Sequence, residues 1–87
     1  MIFVFEGKSY DQNDVNLFYD HSLSIHKTFN GAKEALELEK QHLIKRQYEI
    51  KEDKIVDEYN GISIQCTLLD SFSNVRILTV SQWSIMD

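Results

Sequence analysis

The chain has no proline, three glycines and one cysteine among its 87 residues. A single cysteine, Cys66, excludes an intramolecular disulfide and favours a reducing compartment. It also excludes a multi-cysteine zinc knuckle. Three isolated glycines cannot build a glycine-rich phosphate loop. No stretch is rich in proline, glycine or serine, and no segment repeats, so nothing marks a linker. One globular domain over residues 1–87 is expected.

Basic residues are also scarce. Lys and Arg number 9 against 14 Asp and Glu, for a net charge of −5, and no basic cluster exceeds Lys45-Arg46. Binding nucleic acid through its phosphates needs a positive face, and an acidic chain is repelled by anionic membranes as well. Direct nucleic-acid and membrane partners are therefore not expected. The apolar run of the opening MIFVFEGK is too short for a signal peptide or a membrane span, which predicts a cytoplasmic protein.

Hydrophobic residues make up 43% of the sequence, enough for a packed core without covalent staples. The core must be small, because a chain of this length buries only roughly 60–65% of the surface it exposes when unfolded. Ile2–Phe5 has strand propensity, with a turn expected at Glu6-Gly7-Lys8 and a return strand from Ser9-Tyr10. Ser22–Phe29 alternates: Leu23, Ile25, Lys27 and Phe29 face one way, and Ser22, Ser24, His26 and Thr28 the other. That pattern predicts a half-buried strand in which Lys27 is the discord. Asn30 is expected to cap a helix from Gly31 to about Tyr48, with Ala32, Ala35, Leu36 and Leu43 on one stripe. Strands are expected at Lys54–Tyr59 and Ile62–Leu69 around an Asn60-Gly61 hairpin turn, with a turn over 70–74. A last strand over Val75–Ile85 has Val75 and Ile77 on one face and Leu78 and Val80 on the other, as suits a central position.

These elements predict an α+β, two-layer fold: one long helix on one face of a mostly antiparallel four- to five-stranded sheet. One helix cannot cover both faces. Leu69, Leu78 and Val80 are candidates for an apolar second face, which a protein partner or a homodimer would cover.

Chemical motifs are few. From Asp11, a calcium loop would need an oxygen ligand where Val15 stands, glycine where Asn16 stands and glutamate where Ser22 stands. His21, His26 and His42 form no metal-ligand spacing. No serine lies in a nucleophile elbow. Cys66 sits between Ile64 and Leu68 on the apolar side of its strand and reads as a small hydrophobe. No catalytic residue, metal or cofactor is expected, and the chain reads as a non-enzyme. The acidic run Glu49–Glu58 reads as a solvated helix end and loop, with imitation of nucleic-acid charge as the functional alternative.

What remains is DQNDVNLFYD at 11–20. As a strand or as a short helix, it leaves one large apolar residue without a core slot. Aromatics ringed by polar groups are the usual build of a binding hot spot. Asp11, Asp14, Phe18 and Asp20 are therefore the expected partner-binding residues, facing another protein with a basic surface. By general character the chain reads as a small inhibitor or modulator of a host protein, of the viral takeover or anti-defence kind. A homo-oligomeric small-molecule binder and an immunity- or antitoxin-like protein are the alternatives.

Overall fold

The computed structural model describes residues 2–11, 14–55 and 62–83, with the side chains of 11, 14–21, 55, 62 and 63 left aside. Two strands, β1 (Ile2–Asp11) and β2 (Asp14–His26), precede the helix α1 (Phe29–Lys45). Three more follow it: β3 (Glu49–Ile55), β4 (Ile62–Leu69) and β5 (Asn74–Trp83). The strands form one sheet in the order β2-β1-β5-β4-β3, antiparallel at every junction. The α+β two-layer fold is the one the sequence predicts, and β5 is central, as its apolar residues on both faces require.

The helix lies across β1, β5 and β2. Beneath it Ala32, Leu36 and Leu43 pack with Phe5, Ile64, Cys66, Leu68, Leu78 and Val80, and Phe3, Phe29, Ala35 and Tyr48 border this core. Leu78 and Val80 thus belong to the helix side and not to a second face. In register Cys66 faces Leu78 and Ile64 faces Val80, so these residues share the side on which Leu36 and Leu43 arrive.

The helix starts two residues before the expected position. Thr28, not Asn30, is the N-cap: its backbone is extended, and its Oγ1 accepts the Gly31 N–H at 3.1 Å. Phe29 then packs edge-to-face on Phe3, with ring centroids 6.0 Å apart, which holds the first turn onto β1. At the other end Gln47 adopts φ 68°. The Gln47 N–H donates to the Ile44 carbonyl and the Tyr48 N–H to the Leu43 carbonyl, each at 3.0 Å. That is a Schellman closure with glutamine where glycine is usual.

Gly7 makes no turn. β1 runs straight through it, pairing with Ser22 on one side and Leu78 on the other. A Cβ at Gly7 would stand 2.9 Å from Ser22 Oγ and 3.2 Å from Leu78 Cδ2, so glycine serves here for close approach. The acidic run is also not a loop: Glu49–Ile55 is the edge strand β3, paired to β4. The expected Asn60-Gly61 turn lies outside the described residues.

Candidate functional site

Two ion pairs tie the helix to the sheet. Lys40 Nζ lies 2.6 Å from Asp53 Oδ2 on β3 and 3.7 Å from Glu37, while Glu39 lies 3.8 Å from Arg76 on β5. Arg76 also donates to Ser9 Oγ. The bond from Lys40 to Asp53 holds the ammonium pKa above its ordinary value, against partial burial. Asp53 stands opposite Cys66 in register. Burial pushes the Cys66 thiol up, and the nearby Asp53 carboxylate pushes it further. A buried, protonated thiol beside a protonated lysine supplies neither nucleophile nor base. This cluster reads as a structural tie between α1 and the β3–β4 edge. Among the described residues, no group of three or more His, Cys, Asp and Glu gathers to hold a metal, and no helix is long and apolar enough to cross a membrane.

The face of the sheet turned away from α1 is built differently. Alternation places Ile2, Val4, Glu6, Lys8 and Tyr10 of β1 on it. Register adds Ile25 and Ser81 beside Val4, Leu23 and Thr79 beside Glu6, Ile77 beside Lys8, and Val75 beside Tyr10. Leu69, opposite Val75, lies here too, as expected of the second face. At one corner Ile25 is 62% exposed, Leu23 48% and Trp83 49%. They flank Val4 and Ser81, which are buried. Trp83 Nε1 donates to Ser81 Oγ at 2.9 Å, which fixes the indole over its strand. Three large apolar side chains thus stand in solvent round a closed floor. The middle of the face, with Glu6, Lys8, Thr79 and Thr67 round Ile77, is mostly polar.

Leu23 and Ile25 are the residues whose role the sequence pattern obscured. The alternation in β2 is as expected, but its polarity is inverted. Ser24 and His26 stand in register with Phe5 and Phe3, on the helix side, and Ser24 Oγ lies 2.7 Å from His26 Nε2. The apolar pair therefore points away from the helix. Lys27, the one discord, was the signal that the apolar side of this strand is the solvent side.

The expected contact residues lie at the other end of the same hairpin. Asp11 and Asp14 are register partners, Phe18 stands opposite Tyr10 and Asp20 opposite Ser9, with register shifts on both sides of Tyr10. The structure brings the four backbone positions together. Their side chains lie outside the described part of the structure, as do Gln12 and Asn13 entirely. No family model, curated protein or solved structure matches the chain.

Proposed function

We propose that this protein acts by stoichiometric binding, as an inhibitor or modulator of another protein, and that its partner docks on the open face at the Leu23–Ile25–Trp83 corner. The supporting observation is the exposure of these three side chains round the buried Val4. Grouped apolar exposure rimmed by polar residues is the surface pattern of a protein contact, and tryptophan is enriched among residues that dominate binding energy. The acid surplus supplies the second element. A net charge of −5 steers a basic partner toward the surface and speeds association. The backbone positions of Asp11, Asp14, Phe18 and Asp20 lie at the far end of the same β1–β2 hairpin.

The test begins with the tagged chain and a partner captured from host lysate. Affinity is then measured with purified components. Trp83→Ala and Ile25→Lys are expected to weaken binding at least about tenfold, while Leu38→Ala, on the outer face of the helix, leaves it unchanged. Raised salt should slow association more than it speeds dissociation. Equal affinities for all three variants would remove the open face from the binding site.

A further inference from the structure

The sheet ends in two edge strands of opposite character. β3 carries Glu49, Lys51, Glu52, Asp53 and Lys54 within seven residues, breaks register between Ile50 and Glu52, and pairs Lys54 with Glu52 at 2.7 Å. Charges and a bulge are the devices that stop a strand edge from pairing with another chain. β2 is thirteen residues long, and its last five, Ser22–His26, hold no acid, lysine, arginine or proline. They run in unbroken register with β1, and among the described residues no strand lies on their outer side. An uncharged, regular, unprotected edge is a template for a further strand.

We propose that β2 pairs with β2 of a second copy of this chain, antiparallel, across a two-fold axis at Ser24. The sequence of the edge is self-complementary about that point and about no neighbouring one. Centred on Ser24, Leu23 stands opposite the partner's Ile25 and Ile25 opposite the partner's Leu23. All four lie on the open face, at the distance where cross-strand apolar pairs stabilise. Ser22 then faces the partner's His26, and Ser24 its own copy, on the helix side. Centring on Leu23 sets Ile25 against the partner's His21, and centring on Ile25 sets Leu23 against the partner's Lys27. Centring on Asp20 sets carboxylate against carboxylate, which is unfavourable.

The pairing also closes. The same patch is used twice, and among the described residues the only other edge, β3, is blocked by its charges, so the product is a dimer and not a filament. The axis stands perpendicular to the sheet, so both helices lie on one side and both open faces on the other. The exposed corners of the two copies merge into one patch across the axis, which accounts for the exposure of Leu23 and Ile25.

This dimer shares Leu23 and Ile25 with the docking role proposed above, and it is tested on the purified chain alone, so that its failure and the failure of that role are told apart. Light scattering across a concentration series should give about twice the 10.2 kDa monomer mass. Leu23→Lys combined with Ile25→Lys should halve that mass with the circular dichroism unchanged, since both side chains are exposed. Trp83→Lys should leave the dimer intact. Ser24→Cys should yield a covalent dimer with a short bis-maleimide, whereas the native chain, whose only thiol is the buried Cys66, should not. Three results would overturn the proposal: a monomer at every concentration, including one that takes up an extended peptide at β2 instead; a dimer lost with Trp83→Lys but kept by the double lysine variant, which would mean face-to-face packing; or a dimer in which Ser24→Cys does not cross-link.

Discussion

Val4 and Phe5 are consecutive in β1, and both are buried, at 1% and 6% exposure, on opposite faces of a sheet that, among the described residues, has a helix on one face only. Phe5 belongs to the core under α1. Val4 lies on the open face, between Ile25 of β2 and Ser81 of β5. The open face therefore has a packed floor at this corner, and truncating it should leave a cavity. Val4→Ala is expected to destabilise by about 1–2 kcal/mol, against about 3–4 kcal/mol for Phe5→Ala. Chemical denaturation measures both. A loss below about 0.5 kcal/mol for Val4→Ala would be that of a surface position and would remove the floor from beneath the corner.

The closure of α1 gives the second prediction. Gln47 sits at φ 68°, a conformation that a side chain bearing Cβ resists and glycine adopts freely. Its N–H already bonds Ile44, so substitution leaves the hydrogen bonding of the closure in place. Gln47→Gly should stabilise by roughly 0.5–1 kcal/mol, part of the relieved strain being offset by the freer unfolded chain. For a domain of this length that corresponds to a rise in Tm of roughly 2–8 °C. Gln47→Val should shift it the other way. No rise for the glycine variant would mean that the left-handed conformation carries no strain here.

These positions show which parts of the fold were legible in the sequence. The helix stripe was legible because Ala32, Leu36 and Leu43 repeat with helical period, and β5 because it is apolar on both faces. The start of α1 was not: Asn30 is the stronger capping residue by type, and the contact of Phe29 with Phe3, distant in sequence, moved the cap to Thr28. Gly7 reads locally as a turn, and only the approach of Ser22 and Leu78 explains a glycine in mid-strand. The alternation of β2 was legible, but which side it buries depends on where the helix lies, and no local pattern holds that information. For the same reason the Leu23–Ile25 pair was hidden, since an apolar face is read as a buried one until the strand's place at the sheet edge is known.

Cys66 gives the third prediction. It is fully buried between Ile64 and Leu68, and burial raises its thiol pKa. Native protein should react with a maleimide far more slowly than unfolded protein, and the rate should rise in parallel with denaturation. Cys66→Ser should cost about 1–3 kcal/mol, because a hydroxyl takes the place of a thiol among Leu36, Leu68 and Leu78. Fast alkylation of the folded chain would show that the thiol is accessible and reopen a chemical role for it.

The β4–β5 turn gives the last prediction, and it concerns pH. Asp70 organises this turn alone: its Oδ1 accepts the N–H groups of Phe72 and Asn74, and its Oδ2 accepts Asn74 Nδ2, each at 2.9 Å. Its own N–H donates to the Asn74 carbonyl at 3.1 Å, and Ser73 takes φ 70° to let the chain close. Partial burial works against ionisation, but the bonds from Asn74 and Phe72 and the nearby Arg46 outweigh it and hold the carboxyl below the usual carboxylate range. A carboxyl whose pKa is lower folded than unfolded contributes stability that is complete above the unfolded value of about 3.9, and that contribution is lost as pH falls through the folded value. Asp70→Asn should therefore destabilise at pH 7, by about 1 kcal/mol for a group this near the surface, because the amide cannot accept on both sides. The difference between wild type and variant should shrink as pH falls below about 4, where protonation removes the same charge from Asp70. Urea denaturation of both chains from pH 7 down to pH 2.5 provides the test. A constant difference over that range would show that the charge of Asp70 contributes nothing to the stability of the turn.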